Sequence, residues 1–173
     1  IRDAVELMAG VSDAIAYCHE QNVLHRDLKP ENIIVSGGKP IVTDFGLSKV
    51  ESSGTGLTAL GSGLGTLGFL PPEQLENASC VSPAADIFAL GGTLYALLAG
   101  WKPVPGSTLR EIVMATMKGQ PTPIRTLRPE APAILDAMCL RCLRRFPEER
   151  YPSAAALRDD LRKFLRGEPI LLV

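Results

Sequence analysis

Neither sign of charge is in excess along this chain: 18 Lys and Arg stand against 19 Asp and Glu, a net charge of −1 over 173 residues. That balance removes the electrostatic case for a nucleic acid or an anionic membrane as partner. Long apolar runs are missing too. The apolar, uncharged stretch from Ile87 to Trp101 has 15 residues, and Asp86 directly precedes it, which is short for a membrane span. The opening residues carry Arg2, Asp3 and Glu6 and do not read as a signal peptide. Metal-binding residues are sparse. Cys139 and Cys142 have the spacing of half a zinc site, but no second Cys or His pair stands near them, and the two histidines lie at 19 and 25. A spacing of three also puts both thiols on one helix face. Buried free thiols at Cys18, Cys80, Cys139 and Cys142, and a reducing, cytoplasmic setting, are the expectation. No internal repeat is present.

What is there suits a globular domain: 46% hydrophobic and 21% charged residues, in a chain long enough to bury most of its unfolded surface. Ile1, Val5, Met8, Ile15 and Cys18 recur at helical spacing and predict a helix over 1–21. Val23-Leu24 reads as a short extended piece. Ser82-Pro83 predicts an N-cap for a helix to about Leu98 that is apolar almost all round, hence central and buried. Thr108-Leu-Arg-Glu111 fits a capping box for a helix ending near Gly119. A further helix is expected over 132–145, and a last one from Ser153 to Gly167 with Leu157, Leu161, Phe164 and Leu165 on one face. Arg141, Arg144 and Arg145 read as a solvated helix face. The fold class is mainly helical with one small β-hairpin. The chain opens inside a helical pattern and is expected to be cut from something longer.

The chemistry sits at residues 25–46, HRDLKPENIIVSGGKPIVTDFG. Ile33-Ile34-Val35 and Ile41-Val42-Thr43 are β-branched runs around Ser-Gly-Gly-Lys-Pro, which predicts a hairpin. A hairpin brings its open ends together, so Asn32 and Asp44 should lie about 5 Å apart at the backbone. An amide oxygen and a carboxylate form a hard-oxygen site suited to Mg²⁺. Just before it stand the carboxylate of Asp27, beside Arg26, and the ammonium of Lys29. In a loop, alternate side chains converge. A carboxylate can orient a hydroxyl and take its proton, and an ammonium can neutralise an anionic group in flight. Phosphoryl transfer needs little more than such positioning and charge.

His25-Arg26-Asp27-Leu28-Lys29-Pro30-Glu31-Asn32 resembles the catalytic loop of protein kinases, and Asp44-Phe45-Gly46 their metal-binding triplet. Gly65-Thr66 and Pro71-Pro72-Glu73 are similar to the segment that closes the kinase activation loop, with Pro71 and Phe69 where Ala and Tyr are usual. Asp86-Ile-Phe-Ala-Leu-Gly91 resembles the start of the large central helix, and Arg150 stands where the family pairs an arginine with the closing Glu, here Glu73. The resemblance is to the eukaryotic-like serine/threonine kinases and spans nearly the whole chain. It implies roles. Asp27 orients the substrate hydroxyl and accepts its proton. Lys29 touches the γ-phosphate. Asn32 and Asp44 hold Mg²⁺, and Ile34 lies under the adenine. Glu31 faces the incoming peptide and counts with Lys29, Asn32, Ile34 and Asp44 as a residue of the MgATP site. Lys29, with Thr66 nearby, favours Ser/Thr over Tyr as acceptor. His25 and Phe45 join the hydrophobic column between lobes, and Asp86 caps the catalytic loop from below. Arg26 pairs with a phosphate on the activation loop, residues 47–70. Within it, 51–65 holds five Gly, five Ser or Thr and one charge, which predicts a mobile segment. Thr55 and Thr58 are the favoured phosphosites, with Ser52, Ser53 and Ser62 behind them.

One part of the family pattern is missing. A Gly-rich loop, a strand Lys and a helix Glu precede the kinase catalytic loop by many residues. Here 24 residues precede His25, and Gly10 is their only glycine. The expectation is therefore the large (C-terminal) lobe alone over 1–173. Its parent would transfer the γ-phosphate of MgATP to Ser or Thr of protein substrates. The isolated chain should be weak or inactive, because the nucleotide has one wall and water reaches the phosphate. The alternatives are a non-catalytic, pseudokinase-like binding or scaffold module, and a lobe activated by docking onto the separate small lobe.

Overall fold

The computed structural model describes residues 1–46, 68–77, 79–104, 106–119 and 121–172. The activation-loop positions Thr55, Thr58 and Thr66, and the serines at 52, 53 and 62, lie outside the described residues.

Helix α1 spans Arg2–Glu20 and buries Val5, Met8, Ala9, Val11, Ser12, Ile15 and Ala16. These recur three and four apart and form one stripe toward the core. The helix ends in a turn where Asn22 takes φ 59°. Val23 and Leu24 form no strand; the Val23 amide is spent on the carbonyl of Cys18 instead. A 3₁₀ turn, Pro30–Asn32, leads into strands β1 (Ile33–Ser36) and β2 (Lys39–Val42). Both turn residues, Gly37 at φ 56° and Gly38 at φ 75°, are left-handed, as a two-residue hairpin turn requires. The hairpin is thus tighter than its sequence implied, with Ser36, Lys39 and Pro40 taken into the ladder. Ile33 and Val42 pack against the main core, while Ile34 and Ile41 face outward at about half exposure. The Pro40 ring sits so close over Gly10 that a Cβ there would lie 2.7 Å from its Cγ, which seats the hairpin on α1.

Helix α2 covers Pro72–Glu76, and α3 covers Pro83–Ala99. Ala85 through Tyr95 are all buried, so α3 is the central helix around which the others pack. Ser82 stands at its N-cap position without a side-chain hydrogen bond, and Pro83, lacking an N–H, reduces what a cap has to satisfy. Gly91 admits α6 (Ala133–Cys142) at close range: a Cβ would lie 2.1 Å from Cys142 Cβ. Helix α4 (Leu109–Lys118) carries the full capping box of Thr108 and Glu111 and ends on a left-handed Gly119. After the short α5 (Ile124–Leu127) and α6 comes α7 (Ala154–Arg166), capped by Ser153 and ended by Gly167. Helix α7 packs chiefly against α1, where Arg158 and Arg162 bond the carboxylate of Asp13. The helix expected to reach residue 145 stops at Cys142. Arg144 and Arg145 therefore lie past its end, and Arg141 lies 4.7 Å over the Tyr151 ring rather than in solvent.

All four cysteines are free, but only Cys139 and Cys142 are buried; Cys80 is exposed and Cys18 half-buried. Loss of solvent pushes the Cys142 thiol up to about 12 and Cys139 well above its usual value. Folded Cys142 therefore holds its proton to higher pH than an unfolded thiol, which titrates near 9.0. The sign follows: this contribution to stability is complete below about pH 9 and falls as pH rises from there through about 12. At pH 8 the native protein is expected to react with a thiol-titrating disulfide reagent at Cys80 rapidly, at Cys18 slowly and at the buried pair only after urea. Prompt reaction of all four thiols without denaturant would contradict this packing.

Candidate active site

The polar loop is held from beneath by one buried carboxylate. Asp86, 2% exposed, lies in the first turn of α3. Its Oδ2 accepts from the His25 amide at 2.9 Å, and its Oδ1 from the Arg26 amide at 2.9 Å. Arg26 sits at φ 68°, a region that costs a side-chain-bearing residue energy, and the bond to Asp86 offsets part of that cost. Oδ2 also lies 2.8 Å from Nε2 of His19, on the last turn of α1. His19 was missed as a site residue in the sequence. The signal was its phase, four residues after the buried Ile15.

His25 ties the loop to the far side of the hairpin. It is fully buried, its Nε2 lies 2.9 Å from the Thr43 carbonyl, and its ring packs on Phe45 with centroids 4.6 Å apart. The Gly46 amide donates to the His25 carbonyl at 2.8 Å. A Cβ on Gly46 would lie 3.1 Å from that oxygen, so the close approach calls for glycine here.

Above this base the polar groups converge. Lys29 Nζ lies 3.0 Å from Asp27 Oδ2. The Asn32 amide nitrogen donates to the Asp27 carbonyl at 2.8 Å and lies 3.4 Å from the same Oδ2. With its nitrogen turned to Asp27, the oxygen of the Asn32 amide faces the opposite way. The register corrects one expectation. Ile33 pairs with Val42, so Asn32 opposes Thr43 rather than Asp44, and the Thr43 amide donates to the Asn32 carbonyl at 2.9 Å. Asp44 lies one residue further, at φ 55°. Thr43 Oγ1 is 3.3 Å from the Asn32 carbonyl and 3.5 Å from Asp44 Oδ2, which makes it a link between the two that only the register reveals. Ile34 stands on the outer face of the hairpin and Glu31 is exposed.

A second constellation lies lower. The Arg150 guanidinium has no exposed side-chain surface. It meets Glu73 in a two-pronged pair, both contacts at 2.7 Å. Its other donors go to the carbonyls of Ala84, Arg144 and Arg145 at 2.9, 2.9 and 3.0 Å, and it stacks 5.0 Å from the Phe88 ring. All five N–H groups are used. Among the described residues, no group of three or more His, Cys, Asp or Glu could hold a metal ion, and no helix is long and apolar enough to cross a membrane.

The family model described as "protein kinase domain" matches residues 1–161. The chain belongs to the protein kinase family, and bacterial serine/threonine-protein kinases are among the proteins it resembles over nearly its whole length. It is 34% identical to serine/threonine-protein kinase PknB of Mycobacterium tuberculosis over 168 residues, 96% of this chain and 27% of the relative. PknB of Mycobacterium leprae is 32% identical over 169 residues, with 97% of this chain and 27% of the relative covered. The chain thus spans about a quarter of the length of these relatives. Among solved structures, a crystal structure of Rad53 1-466 in complex with AMP-PNP superposes with a TM-score of 0.73 at 25% identity, covering 91% of this chain and 38% of that one. The fold is that of a largely helical kinase unit with a small two-stranded sheet.

Proposed function

We propose that this chain is the large lobe of a protein serine/threonine kinase whose parent transfers the γ-phosphate of ATP to Ser or Thr hydroxyls of proteins. The observation that carries the reading is the convergence of the Lys29 ammonium and the Asn32 amide on one carboxylate oxygen of Asp27. Asp27 orients the acceptor hydroxyl and takes its proton as the oxygen attacks. Lys29, beside it, offsets negative charge on the phosphoryl group in transfer. Asn32, anchored through its nitrogen, fixes the Asp27 backbone. The donor set fits Mg²⁺: the Asn32 amide oxygen and the Asp44 carboxylate are hard ligands at the two open ends of the hairpin, where Thr43 Oγ1 lies between the Asn32 main-chain carbonyl and Asp44 Oδ2, and the ion takes one or two such protein oxygens. Bound there, the ion would neutralise charge on the nucleotide phosphates. Asp86, with His25, Arg26 and Gly46, keeps the loop in place, and Arg26 is the proposed partner of a phosphate on loop 47–70. Ile34 would contact the adenine.

The outward Ile34, Val35 and Ile41, each 49–57% exposed, support a second, small lobe seated on the hairpin and closing over the nucleotide. Without that cover the isolated chain is expected to transfer phosphate at near-background rates. The test joins a protein kinase small lobe ahead of Ile1 and follows radiolabelled phosphate from ATP into an acceptor protein. The chimera should label Ser and Thr, and Asp27→Asn should lower the rate by at least about 10²-fold, the lower end of what a positioned general base contributes. A chimera that keeps its full rate with Asp27→Asn would overturn the assignment. Use of ATP supports a cytoplasmic setting.

A further inference from the structure

Thr43 meets both open ends of the hairpin and uses each of its polar groups there. Its amide donates to the Asn32 carbonyl at 2.9 Å, and its carbonyl lies 2.9 Å from Nε2 of the buried His25. These two backbone contacts fix where its Cβ stands, and a β-branched side chain has few χ1 choices from there. The hydroxyl is therefore delivered to a set place, 3.3 Å from the Asn32 carbonyl and 3.5 Å from Asp44 Oδ2. It has one proton for these two acceptors. The Asn32 carbonyl already accepts from the Thr43 amide, and an ionised carboxylate is the stronger acceptor, so the proton serves Asp44. The two proposed cation ligands differ in how they are held. Asn32 is 6% exposed and tied through its own nitrogen to the Asp27 carbonyl at 2.8 Å. Asp44 is exposed and lies past the end of the ladder, where its carboxylate head has rotamers to lose when an ion binds.

We infer that Thr43 is a positioning residue of the divalent-cation site, its hydroxyl holding the Asp44 carboxylate ready for the ion. The inference rests on the proposed Mg²⁺ roles of Asn32 and Asp44 and adds the group that aligns one of them. Partners that orient a ligating carboxylate typically cost 10–100-fold in metal affinity when removed. Mn²⁺ takes the same oxygen ligands as Mg²⁺ and broadens amide NMR signals close to where it binds, so titrating MnCl₂ into the chain reads binding without phosphoryl transfer. The wild type should show saturable broadening at the amides of Thr43 and Asp44 that Asp44→Ala removes. Thr43→Val keeps the shape and removes the hydroxyl. It should need at least about tenfold more Mn²⁺ for half-broadening, while Thr43→Ser stays close to wild type. Hydrogen exchange at the residue-43 amide should be unchanged in Thr43→Val, since its bond to Asn32 is kept. Thr43→Ala also lacks the hydroxyl and serves if the valine variant does not fold. Equal Mn²⁺ response of Thr43→Val and wild type, a serine variant as weak as the valine one, or weakening that comes with lost protection of the residue-43 amide would overturn this inference alone. A wild type without broadening that depends on Asp44 would overturn it together with the Mg²⁺ roles of Asn32 and Asp44. The role of Asp27 is read separately, from labelling by the chimera.

Discussion

Arg150→Ala is expected to lower the unfolding free energy by about 3–5 kcal/mol, the range seen when one partner of a buried ion pair is removed. Against a total of about 5–15 kcal/mol for a typical domain, that is a large fraction. The reason lies in what remains. Glu73 would keep a carboxylate that is only 17% exposed and has lost both of its 2.7 Å contacts. The carbonyls of Ala84, Arg144 and Arg145 would each lose a donor, and Phe88 would lose the plane stacked on it. Arg150→Lys should recover little, since an ammonium has three donors and no planar fork to serve five acceptors. Denaturant unfolding of the wild type, both Arg150 variants and Glu73→Gln measures this. A midpoint for Arg150→Ala within about 0.5 kcal/mol of wild type would show that the pair does not stabilise the fold.

Asp86→Ala is expected to destabilise by about 2–6 kcal/mol, because the buried His25 amide and the part-buried Arg26 amide lose their acceptor at about 1–3 kcal/mol each. The loss is also local. The amides of His25 and Arg26 give up their bonds to Asp86, and Arg26 at φ 68° is no longer compensated for its strained backbone. Hydrogen exchange should accelerate at those two amides and at Gly46, which bonds the His25 carbonyl, while amides in the middle of α7 keep their protection under native conditions. Asp86→Asn should recover only part of the loss, since an amide offers one acceptor oxygen where three donors converge. Unchanged exchange at His25 and Arg26 in Asp86→Ala would show that the loop is held by something else.

How much of this was legible depended on whether the relevant force is local. The helix ends that could be read, Thr108 with Glu111 and the left-handed glycines 119 and 167, are set by a few neighbouring residues. So was the hairpin, whose β-branched runs flank two glycines. Ser82 and Pro83 marked the start of α3 correctly, although the Ser82 side chain makes no capping hydrogen bond. The partner of Asn32 misled because register depends on turn length, and Gly37-Gly38 alone makes the turn, which puts Thr43 across from Asn32. Two contacts could not be read: the Ala84 carbonyl at Arg150, and Asp86 as the partner of His19, whose phase after Ile15 shows only that it faces inward. Each joins segments far apart in sequence, and spacing carries no information on such contacts.

The pairing of α1 with α7 has a consequence for biosynthesis. Arg158 meets Asp13 from 145 positions further along the chain, and Leu157 and Leu161 share one core with Val5 and Ile15. As the ribosome works from the amino end, the first helix leaves the exit tunnel long before its packing partner exists. Until then its apolar stripe can rest only on the hairpin and α3 and lacks its chief packing partner, a state in which nascent chains aggregate or recruit chaperones. A stop codon ahead of Ser153 should therefore yield an insoluble product rather than a slightly shorter folded one.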